Sequence, residues 1–229
     1  MYRKFLNARS SLRLLEKGLH GGLGTGNLGL VLAGHGVGKG SVLVGVALDE
    51  LMRGGCVLHV SLDHPVAHVR AHYDTVFEDL ASSTHLEDEA AVHADVDRHR
   101  RIRVYPPGAL TPSKLREAIQ LDSEVGLQPS LVILEGLDLA SIRRDDLVEW
   151  KALAGELDAE FWLSATTAEE RVEEVPERLQ RLGDLVSVIL ALEPAEDAVA
   201  LRALKDHDNP DVTELHVALD PRTLLLIRS

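Results

Sequence analysis

The sequence predicts an α/β protein with a mainly parallel, twisted sheet that is flanked by helices and ends in an antiparallel β extension. Short runs of Val, Leu and Ile with little polar alternation are typical of strands buried on both faces. Amphipathic stretches separate these runs, and such alternation of strand and helix is typical of a parallel sheet with helices on both sides. Near residue 198 the pattern changes to short strands joined by turn-forming residues, which favours antiparallel pairing.

The candidate elements follow from apolar periodicity and from helix start and stop signals. Strands of the parallel part are expected at residues 28–33, 57–62, 102–105, 131–134, 161–165 and 186–192. Helices are expected at about residues 39–53, 65–80, 112–125, 144–157 and 169–182. Thr111-Pro112 is typical of an N-cap followed by proline at the first helical position, and Gly54-Gly55 favours a helix end. The extension is expected as strands at 198–204, 214–218 and 224–228, and the charged segment 87–101 as a solvated loop or helix face.

Length and composition fit a single domain over residues 1–229, with residues 1–14 as a lead-in and residues 198–229 as a β meander. Apolar residues make up 45% of the 229 residues, which is ordinary for a globular protein. Lys and Arg number 24 against 37 Asp and Glu, a net charge of −13 that disfavours binding to nucleic-acid backbones. The single cysteine, Cys56, excludes an internal disulfide. No apolar stretch approaches the roughly 18 residues of a membrane span, so we expect no membrane contact and a cytoplasmic location.

The most informative segment is a glycine-rich run between the first predicted strand and the first predicted helix. It reads Ala33-Gly34-His35-Gly36-Val37-Gly38-Lys39-Gly40-Ser41. Glycines let successive backbone N–H groups converge on an anion, the lysine reaches terminal phosphates, and the helix N-terminus adds partial positive charge. Residues 34–41 are therefore predicted to cradle the phosphates of a nucleotide. The alternative is a glycine-rich turn that carries a lysine by chance.

Four other segments accompany the glycine-rich run in a characteristic order. They are a lead-in at residues 15–28, Val60-Ser61-Leu62-Asp63-His64-Pro65, Leu131-Val132-Ile133-Leu134-Glu135 and Leu163-Ser164-Ala165-Thr166-Thr167. Together with the loop they resemble the P-loop ATPases of the RecA superfamily, in its KaiC-like and DnaB-like branches. The resemblance covers about residues 12–229 and implies a RecA-like fold with bound ATP or another nucleoside triphosphate. It also implies Mg²⁺ as a cofactor wherever hydrolysis is retained.

The resemblance also implies roles for single residues. Asp63 and His64 stand at the position that activates water, and Ser164 stands in the strand that senses the γ-phosphate. Ser41 and Glu135 are the candidate metal ligands, Glu135 lying at the end of the Walker B strand. In the relatives a lysine contacts the γ-phosphate held by the adjacent subunit, and Lys205 matches it, which implies a homo-oligomer or a complex with a partner protein.

Several positions depart from the family pattern. Gly40 stands where a Ser or Thr hydroxyl ligates Mg²⁺, and Ser41 is one residue on, about 100° around the helix axis. Glu135 replaces Asp, and His64 replaces a second glutamate. His207 stands in place of an arginine, and an arginine finger contributes roughly 10³–10⁵ in rate. We therefore expect a nucleotide-binding regulatory or assembly module with slow or no hydrolysis.

Other interpretations stay open at this point. In an active Mg²⁺-dependent ATPase, Ser41 or a water would replace the missing hydroxyl, with Glu135 and Asp63 handling metal and water. A DNA recombination or helicase accessory factor is the third alternative, disfavoured by the acidic charge. His64, His68 and His72 recur at i, i+4 and i+8 on one predicted helix face, and two of them could grip a metal ion. A solvated or subunit-facing helix edge is the favoured interpretation of that face.

Overall fold

The computed structural model describes residues 10–138, 140, 142–169, 171–210, 212 and 215–229, in which strands and helices alternate. The helices are α1 (Leu12–Gly18), α2 (Lys39–Arg53), α3 (Val66–Thr84), α4 (Glu89–His99), α5 (Pro112–Glu124), α6 (Arg144–Leu157) and α7 (Glu177–Gln180). The strands are β1 (Leu28–Ala33), β2 (Val57–Ser61), β3 (Arg100–Val104), β4 (Leu131–Leu137), β5 (Glu160–Thr166), β6 (Val186–Pro194), β7 (Val199–Asp206), β8 (Val217–Leu219) and β9 (Leu226–Arg228).

The described strands form one sheet in the order β3-β2-β4-β5-β1-β6-β7-β8-β9. The pairings from β3 through β6 are parallel, and those from β6 to β9 are antiparallel. The predicted α/β class, with a mostly parallel sheet and a C-terminal antiparallel stretch, is confirmed. Because parallel strands end at the same edge, Ser61 pairs with Glu135 and Ala33 with Thr166. This carboxyl edge carries the glycine-rich loop.

Helices cover both faces of the parallel strands, which explains why those strands lack polar alternation. On one face, α1 to α4 pack with the sheet around residues such as Leu15, Leu48 and Phe77. On the other face, α5 and α6 pack around residues such as Ile119 and Leu153. Successive residues of each central strand therefore enter two different apolar clusters.

The antiparallel extension folds back against α2. Leu219 in β8 lies so near the loop that a Cβ added to Gly38 would be 2.5 Å from its Cδ2 atom. Leu226 in β9 would lie 3.8 Å from a Cβ on Gly45. The extension therefore supports the loop and the first turns of α2.

One predicted helix differs from the structure, and of the two alternatives for segment 87–101 the structure has the helix face. The helix expected at 169–182 is wrong except for the short α7. Pro176 disfavours a helical conformation of Val175, so the helix begins only after Pro176. Residue 170 lies outside the described part. Segment 87–101 contains a regular helix, α4, whose Val92 and Val96 are buried. Residues 1–9 of the lead-in and residue 214 of a predicted strand also lie outside the described part.

Within the described residues, no helix combines the length and the apolarity needed to cross a membrane.

Candidate functional site

The glycine-rich loop joins the fully buried strand β1 to the N-terminus of α2. Gly36 has a φ of 75° and Gly38 a φ of 113°, values in the left-handed region that favours glycine. Gly38 is the N-cap residue of α2, while His35 and Gly36 are exposed. The loop backbone therefore lies at the positive end of a 15-residue helix dipole.

Lys39 folds back over the base of this loop. Its Nζ donates hydrogen bonds to the carbonyl oxygens of Ala33, at 3.1 Å, and Gly34, at 2.8 Å. Burial lowers the pKa of Lys39, and the negative charges of Asp63 and Glu135 partly oppose that shift. An ammonium group is thus held at the helix N-terminus with two carboxylates nearby.

Glu135 lies at the end of β4 and points toward the start of α2. A Cβ atom added to Gly40 would lie 2.7 Å from its Oε1 atom. Its other oxygen, Oε2, lies 3.1 Å from Nε2 of His59. The sheet register explains this contact, since Ser61 pairs with Glu135 and His59 projects two residues earlier on the same face.

His59 connects Glu135 to a buried tyrosine. It is 1% exposed, and its Nδ1 atom lies 3.1 Å from the hydroxyl of Tyr73 on α3. An ionised carboxylate only accepts hydrogen bonds, so the Nε2–H of His59 donates to Glu135. Burial raises the pKa of Tyr73 far above its ordinary value, which keeps this O–H in place. The guanidinium of Arg100 lies 4.5 Å from the centre of the Tyr73 ring.

The charge of Glu135 is favoured by its histidine neighbours. Burial alone would raise its pKa, but the hydrogen bond from His59 and the nearby His64 and His72 outweigh it, and the pKa is lowered. The carboxylate is therefore ionised at neutral pH, at the point where the loop meets the helix.

Asp63 occupies a more open place beside Glu135. Its side chain is about half exposed, at 49%, and it accepts a hydrogen bond from Ser61 Oγ at 3.1 Å. Gly136, with a φ of 83°, lets it approach, because a Cβ there would lie 2.7 Å from the Asp63 carboxyl carbon. His64 stacks on His68 with ring centres 4.3 Å apart, and its Nε2 lies 3.9 Å from Asp63 Oδ2.

Ser164 supports the backbone next to Glu135. Its Oγ accepts a hydrogen bond from the N–H of Gly136 at 3.3 Å, where the β4–β5 register shifts between Leu134 and Leu137. The hydroxyl thereby fixes the irregular turn of backbone from which Glu135 projects. The sequence predicted Ser164 as a phosphate sensor and did not predict this bond.

Ser41 contacts a histidine of α3. Its Oγ is 3.1 Å from Nε2 of His72 on α3, and the residue is 3% exposed. Of the two predicted metal ligands, Glu135 therefore lies at the loop, while Ser41 contacts a histidine. Burial lowers the pKa of His72.

His64, His68 and His72 do not form a ligand cluster among themselves, because His72 contacts Ser41 while His64, which precedes α3, stacks on His68. Among the described residues, three others have the spacing of metal ligands: Asp74, His93 and Asp97, whose ligand atoms lie within 4.8 Å of one another. The guanidinium groups of Arg70 and Arg100 already pair with Asp97. Sequence reasoning missed this group, which joins two helices.

Lys205 lies at the opposite edge of the sheet from the loop. Its Nζ donates to the carbonyl oxygens of Gly183 and Val186, both at 2.5 Å, and Val186 pairs with Leu28 at the beginning of β1. Burial lowers the pKa of Lys205. Within one chain, Lys205 is therefore not brought to the site with Lys39.

Three features of the site were missed from the sequence. His59 and Tyr73 hold Glu135, and the one available signal was a polar residue within the apolar run 57–60. Gly136 admits Asp63, which a glycine directly after Glu135 could have indicated. Ala33 stands where a G-x-x-x-x-G-K motif would begin with glycine, and it is fully buried.

Comparison with known proteins adds no family to this geometry. No protein-family model matches the chain, and no curated protein gives a significant match. The arrangement itself combines a helix N-terminus, a lysine and two carboxylates at the carboxyl edge of a parallel sheet, where open α/β sheets bind their ligands.

Proposed function

We propose that this chain is an ATP-binding domain with a RecA-like fold, akin to the KaiC-like and DnaB-like P-loop ATPases, that acts as a regulatory or assembly module. The observation that carries the proposal is the position of Lys39. It lies at the N-terminus of α2, directly after the glycine-rich loop and close to Asp63 and Glu135. Backbone N–H groups, a helix dipole and an ammonium group together recognise a polyphosphate.

The donor set near the loop also fits a divalent cation that accompanies the phosphates. Mg²⁺ binds oxygen ligands, commonly one or two carboxylates together with phosphates and water. Glu135 is ionised and directed at Gly40, and Asp63 lies beside it across Gly136. When bound, the cation would neutralise charge on the phosphates. Glu135 is the side chain that we assign to hold it.

Slow or absent hydrolysis is proposed because the groups that would drive it are weak or engaged elsewhere. Asp63 is half exposed and bonded to Ser61, and His64 stacks on His68. Lys205 is bound to two backbone carbonyls of its own chain. His207 contacts Asp206 and the carbonyl of Leu23. Binding without turnover suits a module whose bound nucleotide controls assembly with itself or a partner protein.

A role on DNA is not favoured by the basic residues after β4. Arg143 pairs with Asp146 at 2.6 Å, and Arg144 pairs with Asp184. These guanidinium groups are therefore neutralised within the chain, whose net charge is −13. Phosphate-backbone binding needs unpaired cations on one face.

The test is equilibrium binding of a fluorescent ATP analogue with Mg²⁺ to the wild type, Lys39→Ala and the exposed Lys17→Ala. We expect saturable binding that Lys17→Ala leaves unchanged. Lys39→Ala should weaken it at least about tenfold, since a hydrogen bond to a charged group contributes about 1.5–3 kcal/mol. Phosphate release should be equally slow in all three proteins.

Two outcomes would contradict the proposal. Equal affinity of Lys39→Ala and wild type would remove the loop as the nucleotide site. Turnover by the wild type in the range of typical enzymes, about 1 s⁻¹ or faster, and lost in Lys39→Ala, would replace the regulatory module with an active ATPase.

A further inference from the structure

Gly40 and Glu135 are complementary in shape. A Cβ at position 40 would lie 2.7 Å from Glu135 Oε1, which is well inside van der Waals contact. The Ser or Thr that usually follows a P-loop lysine carries a Cβ and a hydroxyl at this position. A Cβ at position 40 would therefore require the end of the Glu135 side chain to shift. The glycine and the longer acid therefore form a matched pair.

Neighbouring residues hold the Glu135 carboxylate in its position next to Gly40. Its Oε2 bonds to His59, which is buried and fixed in turn by the Tyr73 hydroxyl. The backbone beneath it is fixed by the bond from Gly136 N–H to Ser164. Withdrawal of Glu135 from the loop would leave His59 without its carboxylate partner in a buried place, which is unfavourable.

An ionised carboxylate beside the loop acts against a bound polyphosphate. Lys39 cannot cancel it alone, because that ammonium is also shared between two backbone carbonyls and lies near Asp63. A divalent cation between carboxylate and phosphate would turn this repulsion into attraction on both sides.

We propose that Glu135 occupies the place of the missing hydroxyl as a direct ligand of the divalent cation, so that ATP binds only together with that cation. The proposal rests on the proposed function and specifies its ligand as the cation–nucleotide complex. His59 is then a positioning residue, which orients the carboxylate without contacting the nucleotide.

The first experiment measures ATP affinity of the wild type and Glu135→Gln in Mg²⁺, in Mn²⁺ and in EDTA, with Mn²⁺ binding followed by electron paramagnetic resonance. Glutamine keeps the shape and can still accept the His59 hydrogen bond. The wild type should lose at least about tenfold in affinity in EDTA, since an uncompensated like charge within a few ångströms is costly. Glu135→Gln should bind ATP in EDTA better than the wild type does and should lose ATP-dependent Mn²⁺ binding.

The second experiment tests the matched pair with Gly40→Ala, and Gly45→Ala is its control in the same helix. A Cβ at position 45 would have its nearest contacts at 3.8–3.9 Å, which is ordinary packing. We expect Gly40→Ala to weaken Mg²⁺-supported binding at least about tenfold by displacing a charged ligand. Gly45→Ala should leave it unchanged. Gly40→Ala combined with Glu135→Asp should recover much of the loss, because the shorter acid vacates the space.

The outcomes separate the two proposals. No saturable ATP binding by the folded wild type in any of the three media would overturn the proposed function itself. Saturable binding with equal affinity in Mg²⁺ and EDTA would overturn the cation coupling alone. A Glu135→Gln variant whose ATP affinity depends on the cation as that of the wild type does would also overturn the cation coupling. If Gly40→Ala fails to fold, as shown by circular dichroism, the Glu135→Gln comparison still decides.

Discussion

The two ends of helix α2 are closed in the same way but have different surroundings. Gly38 before the helix and Gly54 after it both adopt left-handed conformations, with φ values of 113° and 93°. A Cβ on Gly38 would clash with Leu219, whereas a Cβ on Gly54 would meet no atom within 4 Å. The N-terminal end is packed against the β extension, and the C-terminal end is open.

The charges at the two ends also differ. At the C-terminal end, Asp49 is almost fully buried and pairs with Arg13 and with Arg53, the latter at 3.3 Å. Glu50 bonds to Ser130 and pairs with Arg53. These charged groups pair with one another.

At the N-terminal end, Lys39 bonds to backbone carbonyls, and the carboxylates of Asp63 and Glu135 bond to Ser61 and His59. Cation and anions are near one another, yet none of these bonds joins Lys39 to a carboxylate. One end thus stabilises the fold, and the other keeps its charges available for a ligand, as binding sites commonly do.

The strongest test of this contrast is Asp49→Ala. Removing a buried carboxylate that bridges two arginines costs about 3 kcal/mol, since a broken buried pair leaves partly desolvated cations behind. The free energy of unfolding in urea should fall by that amount, while ATP affinity of the folded protein should stay at the wild-type value. Glu78→Ala, at an exposed site of α3, is the control and should change stability by less than about 0.5 kcal/mol. A variant that loses ATP affinity without losing stability would reverse the roles of the two ends.

Gly38 and Gly54, the left-handed glycines at the two ends of α2, provide the second test. Gly54→Ala should cost about 1 kcal/mol, the strain of a side chain in the left-handed region. Gly38→Ala should cost about 2–3 kcal/mol, because displacement of Leu219 from its packed position adds to that strain. It should also weaken ATP binding, which Gly54→Ala should not. Urea unfolding and ATP titration of both variants measure this, and equal costs would show that the β extension gives the loop no support.

Much of the fold could be predicted from the sequence because its signals are local. Helices α2 and α6 and strand β1 have the predicted bounds, since glycines or sharp changes of polarity mark their ends. The helix expected at 169–182 was wrong because the prediction followed the apolar periodicity and gave too little weight to Pro176. The β meander was predicted from turn residues, but its return over α2 depends on long-range packing that no local pattern encodes.

The sequence predicted which residues converge at the site, but it did not predict the hydrogen bonds that hold them. Lys39 and Glu135 were expected to converge, because the carboxyl ends of parallel strands share an edge. The bond between His59 and Glu135 depends on the β2–β4 register, and the bond to Tyr73 depends on the rotation of α3. The absent hydroxyl at Gly40 was visible in the sequence, whereas the carboxylate that fills its place emerges only from the packing.

The smallest expected effect concerns Asp206, at the same edge of the sheet as the C-terminal end of α2. Asp206 is 1% exposed. Burial alone would raise its pKa, but hydrogen bonds with His207, His20 and Asn209 outweigh it, and the pKa is lowered. A carboxyl group whose pKa is lower in the folded state than in the unfolded state stabilises the protein at pH values above its unfolded pKa of about 3.9. That contribution is lost as the pH falls through the folded value.

Asp206→Asn should therefore reduce the free energy of unfolding by about 1 kcal/mol at pH 7, the net contribution of a hydrogen bond. The difference from the wild type should shrink as the pH falls below about 4, the unfolded pKa, and should be lost below the lowered pKa of the folded state. Urea midpoints at pH 7 and pH 3 measure this, and Asp197→Asn at an exposed turn is the control. A deficit that is the same at both pH values would mean that Asp206 acts through its shape. A loss of ATP affinity would mean that the two edges of the sheet are coupled, which the separate networks at the ends of α2 argue against.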